Sequence, residues 1–96
     1  MATYIVLGKW THQGVQGAKE GGKRRQAAQE VAKSFGAEIK HTYLTMGEYD
    51  IVAIVEAPDD EAVAKIALKI GSFGNLHTQT VRAFDEAETD RLYGSI

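Results

Sequence analysis

Side chains able to do chemistry gather at two places in this chain. The first is Lys9-Trp10-Thr11-His12, then a stretch with glycines at 14, 17, 21 and 22, then Lys23-Arg24-Arg25. Glycines let backbone amides approach a ligand and let a segment close as a lid. Three cations at the start of a helix oppose its dipole, at roughly 0.3–1 kcal/mol each when exposed, and a bound anion reverses that sign. Trp10 offers an apolar wall, and histidine, here His12, is the side chain that changes charge near neutral pH. The ligand such a site would take is a small organic anion. The plainer reading is a solvated basic turn, paired with Glu20 or a neighbouring subunit.

The second place is a hairpin. With an even-numbered loop, Ile39, His41 and Tyr43 share a face with Asp50, Val52 and Ile54, while Lys40, Thr42 and Leu44 lie beside Tyr49, Ile51, Ala53 and Val55. A histidine near a carboxylate and a phenol can carry protons as a general acid or base. Against that, Asp50 as a turn cap and Tyr49 as an anchoring aromatic explain the same residues without catalysis. A three-residue loop would flip the pairing and dissolve the group.

Other chemistry is excluded more firmly. Gly17 to Lys23 satisfies the first part of a phosphate-binding loop, but Arg24 stands where a hydroxyl must reach magnesium. His12, His41 and His77 have no metal-ligand spacing among them, and the absence of cysteine removes thiolate ligands, nucleophiles and disulfides. No serine sits in a nucleophile elbow. No metal and no cofactor is expected.

The elements that must position these residues follow from the pattern. Residues 3–10, 37–46, 49–56 and 76–84 read as strands, rich in β-branched and aromatic side chains. Residues 11–22 make a poor helix because of their glycines. From Lys23, Ala28, Val31, Ala32 and Phe35 fall on one helical face, and Gly36 sits at the left-handed cap position. Asp59 caps a second helix, whose buried stripe is Ala62, Val63, Ile66, Ala67 and Ile70, with Glu61–Lys65 as an i,i+4 ion pair. Residues 85–93 form a short terminal helix capped by Asp85. The order βαββαβ predicts an α+β, ferredoxin-like sandwich, with an antiparallel sheet in order 4-1-3-2 and both main helices on one face.

Length and charge bound the rest. Ninety-six residues make one domain, 1–96, with its core in 3–86 and a tail at 87–96. A net charge of −2 and the lack of a basic aromatic motif argue against nucleic acid. No segment approaches a membrane span, and the N-terminal run has no basic flank of the kind a signal peptide carries, which points to the cytoplasm.

The two central strands carry the strongest signal. Ile51, Ala53 and Val55 alternate with Val52 and Ile54, and Ile5 and Leu7 alternate with Tyr4 and Val6. Helices cover one face of such a sheet. A solvated second face would show polar alternation, and none is present. The cheapest cover is the same face of a second copy, so a homo-oligomer, a dimer at least, is expected through the face opposite the helices.

Leu44-Thr45-Met46-Gly47-Glu48-Tyr49-Asp50, followed by Val55-Glu56-Ala57-Pro58-Asp59-Asp60-Glu61, resembles the GYD domain family, named for its Gly-x-Tyr-Asp motif. Thr11 to Gly17, and Gly74-Asn75-Leu76 with Thr78, Thr80 and Arg82-Ala83-Phe84, are similar to its other recurrent stretches. The resemblance spans residues 3–86. It implies a dimeric α+β barrel, two ferredoxin-like sheets packed face to face, and no particular activity. Relatives of that barrel include cofactor-independent monooxygenases, muconolactone isomerases and ligand-sensing domains, and fold alone does not choose among them. The expectation is a homo-oligomeric module that binds a small ligand. The alternative is a cofactor-independent isomerase or monooxygenase using His41 or His12 as proton carrier.

Overall fold

The computed structural model describes all 96 residues. Its elements are β1 (Ala2–Trp10), α1 (His12–Gln16), a 3-10 turn (Ala18–Glu20), α2 (Gly21–Ser34), β2 (Glu38–Leu44), β3 (Ile51–Ala57), α3 (Asp60–Ser72), β4 (Leu76–Ala83) and α4 (Glu86–Gly94). The strands form one antiparallel sheet in the order β2-β3-β1-β4, the expected 4-1-3-2 read from its other edge.

Local chemistry explains the main helices. Asp59 caps α3 by accepting from the Ala62 amide at 2.9 Å, with Asp60 and Glu61 in the first turn and Lys69 in the last. At the end of α2, Gly36 takes φ +75°, the Ala37 amide reaches the Ala32 carbonyl at 2.9 Å and the Gly36 amide reaches the Lys33 carbonyl at 3.0 Å. That pair of bonds is a Schellman ending, which only a residue tolerant of positive φ completes cheaply. Both helices press on one sheet face, where Tyr4, Val55 and Ala57 meet Ala32, Val63 and Ile66.

Several details depart from the sequence reading. The glycine-rich 11–22 stretch is helical over most of its length, because Thr11 caps α1 on the Gly14 amide and tertiary contacts outweigh poor propensity. The first long helix starts at Gly21 rather than Lys23. The β2–β3 connection is longer than a tight turn, leaving Tyr49 and Asp50 outside β3. Its even length puts His41 opposite Ile54 and Tyr43 opposite Val52, but a bulge between Ile39 and His41 sets Ile39 opposite Val55, on the helix-covered face. The Glu61–Lys65 pair also does not close within 4.0 Å. Glu61 lines the cleft at the start of α3, whereas Lys65 lines a groove beside Phe35.

The other sheet face has no helix over it. Ile5, Leu7, Val52 and Ile54 run through its centre half-buried, while Val81 and Tyr43 keep 37% and 54% of their surface exposed. The chain measures 48 Å along its longest axis and has a radius of gyration of 14.2 Å, above the roughly 12.5 Å of a compact chain this long. The terminal helix α4 has no buried residue.

Candidate functional site

The end of β1 is where the sequence places its first site, and the backbone there is closely tied. The Trp10 amide donates to Asp50 Oδ2 at 2.9 Å, and the Asp50 amide donates to the Gly8 carbonyl at 2.8 Å. Asp50 thus bonds β1 through both its main chain and its carboxylate. Its own carbonyl accepts from the Thr45 amide at 2.8 Å, and Thr45 Oγ1 donates to the Tyr49 carbonyl at 2.6 Å. Tyr49 reaches β4, donating its hydroxyl to Gln79 Oε1 at 2.7 Å, with the Lys9 ammonium 5.5 Å from its ring centroid. Gly47, at φ +117°, supplies the turn that a side chain would strain.

A second tie lies one residue on. The Thr11 amide donates to the Asn75 carbonyl at 3.0 Å, and Thr11 Oγ1 donates to the Gly74 carbonyl at 2.6 Å. Gln13 Nε2 donates to Asn75 Oδ1 at 3.2 Å. Arg24 reaches back from α2 and donates to the Gly14 carbonyl at 2.9 Å. Lys23 lies 3.5 Å from Glu20, and Arg25 is exposed.

These contacts separate the candidate residues. Strand alternation sends Lys9 to the open face, with Tyr49 and Glu48, and Trp10 to the helix-covered face. His12 is exposed on α1, and Arg24 bonds backbone. His41 and Tyr43 stack at 6.2 Å between centroids on the edge strand, while the Asp50 carboxylate is taken up by β1. The acid–base group of His41, Tyr43 and Asp50 is therefore not assembled. No three His, Asp or Glu side chains converge as a metal would need. No helix is long and apolar enough to cross a membrane.

A cleft that the sequence did not single out lies at the other end of β1. Its volume is about 650 Å³, lined by Ala2, Tyr4, Asp59, Asp60, Glu61 and Arg82. Tyr4, 3% exposed, donates its hydroxyl to Asp60 Oδ1. Arg82 lies 5.6 Å from the Tyr4 ring centroid and 4.5 Å from that of Phe84, and 3.7 Å from Glu88. The bond to Asp60 raises the Tyr4 pKa above 10.0, helped by burial and by the Asp60 charge. A raised phenol pKa favours the folded state below the unfolded value, and that contribution fades as pH climbs through the folded one. Wild-type stability to urea is expected to fall above about pH 10, more steeply than that of Tyr4→Phe, which lacks the ionising group. Parallel alkaline slopes would remove the linkage.

A family model described as GYD domain matches residues 4–93. The chain belongs to the GYD domain family. A Thermus thermophilus protein named "Glutamine synthetase and cystathionine beta-lyase binding protein" is 34% identical over 89 residues, covering 92% of this chain and 94% of that one. Among solved structures, one from Thermus thermophilus superposes with a TM-score of 0.57 at 28% identity, covering 88% of this chain and 95% of the other. A hypothetical protein from Pyrococcus horikoshii gives a TM-score of 0.56 at 25% identity, covering 90% and 93%.

The Gly-x-Tyr-Asp residues of this GYD domain have a mechanical role that the hydrogen bonds make explicit. Gly47 turns the chain, Tyr49 ties it to β4, and Asp50 closes the end of β1. Asp50→Ala is expected to cost about 1.5–3 kcal/mol, because a charge-assisted bond to a partly buried amide is lost. Asp50→Asn keeps an acceptor and should lose less than half as much in urea denaturation. Equal losses would show that the carboxylate does not hold the Trp10 amide.

Proposed function

We propose that this GYD domain is a non-catalytic binding protein that works as a pair of copies joined through their open sheet faces and takes other proteins as partners. The observation that carries the reading is the uncovered apolar centre of the sheet, with Ile5, Leu7, Val52 and Ile54 outside the helix layer. Contiguous apolar surface of this kind marks interaction sites. The name of the Thermus relative supports protein partners. Sedimentation equilibrium at micromolar concentration should return at least twice the 10.5 kDa chain mass, and a persistent monomer would overturn the pairing. Purified glutamine synthetase and cystathionine beta-lyase, titrated separately in calorimetry, test the partner class.

A second reading, a small organic anion at the start of α2, is favoured by one observation. That helix has no side-chain cap, while Lys23 and Arg25 are exposed in its first turns. Titrating small carboxylates and phosphates while following Trp10 fluorescence and the His12 proton shifts tests it. No change at millimolar ligand would end this reading.

A further inference from the structure

We propose that the outer face of α3 receives α4 from a second copy of this chain. The contact uses neither the open sheet face nor the family motif, so it adds a second association surface to the one proposed above. Its first support is the state of α4 in its own chain. No residue of α4 is buried, and Glu86, Asp90 and Tyr93, all exposed, fall at i, i+4 and i+7 on one side of it. Neither Glu86 nor Asp90 has a cation within 4.0 Å.

The receiving face has the complementary pattern at the same spacing. Lys65, Leu68, Lys69 and Ser72 fall at i, i+3, i+4 and i+7 along α3 and, with Phe35, border a shallow, open groove. Leu68 keeps 76% of its surface exposed in the middle of this stripe. Neither Lys65 nor Lys69 has a carboxylate within 4.0 Å. With α4 laid parallel to α3, Glu86 meets Lys65, Asp90 meets Lys69, and Tyr93 falls beside Ser72 and the Phe35 ring. Both ladders repeat at about 6 Å, so one alignment satisfies both charge pairs and the aromatic contact together.

The donor must be another copy. Arg82 holds the first turn of α4 through Glu88, and Arg82 lines the same cleft as Asp59, Asp60 and Glu61 at the start of α3. Within its own chain α4 does not pack along α3, which leaves the acidic side of α4 and the Lys65–Lys69 face both open to another copy.

Sedimentation equilibrium of full-length charge-reversal variants tests the contact. In an Ile54→Glu background, which blocks sheet-face pairing, the chain should still self-associate. Lys65→Glu/Lys69→Glu should weaken that association about ten-fold, and Glu86→Lys/Asp90→Lys should do the same. All four changes together should restore it. Unchanged association in either double variant, or failure of the four-fold variant to recover, overturns the proposal. So does an Ile54→Glu chain that is monomeric throughout, which leaves sheet-face pairing intact. An Ile54→Glu chain with the same assembly mass as wild type would instead remove the sheet-face reading.

Discussion

Gly14→Ala should lower stability by roughly 3 kcal/mol or more, at the upper end of what overpacking a tight contact costs. A Cβ at this position would lie 2.1 Å from the Asn75 carbonyl oxygen and 3.1 Å from its carbon, both backbone atoms. Neither can rotate away. The carbonyl is itself held by the Thr11 amide at 3.0 Å, so moving it breaks the bond that joins the end of β1 to the start of β4. At about 4–8 °C per kcal/mol for a domain of this size, the melting temperature should fall by some 15 °C. Gly17→Ala is the internal control. Its Cβ meets Arg24 Nη2 at 2.2 Å, but that atom ends a flexible side chain able to swing aside. Gly21→Ala meets nothing within 4 Å and lies in a helix, so it should raise stability by about 0.5–1 kcal/mol. Equal effects of Gly14→Ala and Gly17→Ala would show that the Asn75 contact is not tight.

The same glycine shows why part of this structure is hidden in the sequence. Four glycines in 11–22 lower helix propensity, and propensity is the only local signal that stretch offers. What makes α1 is non-local: Thr11 bonds Gly74 and Asn75 from across the chain, and its hydroxyl then accepts from the Gly14 amide. Local patterns with their own mechanism are legible. Asp59 and Asp85 cap the helices assigned to them, Gly36 and Gly47 take positive φ, and the βαββαβ order leads to the observed sheet. The bulge that turns Ile39 toward the core leaves no trace, because Glu38-Ile39-Lys40-His41 alternates as cleanly as an unbroken strand.

The candidate residues are legible as a list but not as a set. Lys9 and Trp10 are adjacent in sequence and separated by a sheet in space, which period-two alternation already requires. Alternation assigns Asp50 to the hairpin face with His41 and Tyr43, yet its carboxylate is aimed at the Trp10 amide, a partner 40 residues away. The Tyr4–Asp60–Arg82 group joins the first strand, a helix start and the last strand, so no spacing could reveal it. By contrast, the uncovered face is readable from missing polar alternation alone, since that signal lies within single strands.

Ile54→Glu should abolish the proposed sheet-face pairing, weakening it by about a thousand-fold or more. Ile54 sits on β3, next to Ile5 of the other central strand and opposite His41 of the edge strand, so its side chain is near the middle of the open face. A stable pair buries about 800 Å² from each partner, and its centre is dry. A carboxylate placed there loses water without gaining a cation, at several kcal/mol for each copy. Two-fold symmetry introduces the charge twice, and two like charges facing each other add to the cost. In the isolated chain the same carboxylate is half-exposed and keeps its hydration, so helix content and the core around Val55 and Ile66 should survive. Circular dichroism and sedimentation of the same samples separate these effects. Val81→Glu, on β4 with 37% of its surface already exposed, should weaken pairing far less, because a rim charge stays wet. If both variants dissociate the pair equally, the apolar centre of the sheet is not what holds the copies together.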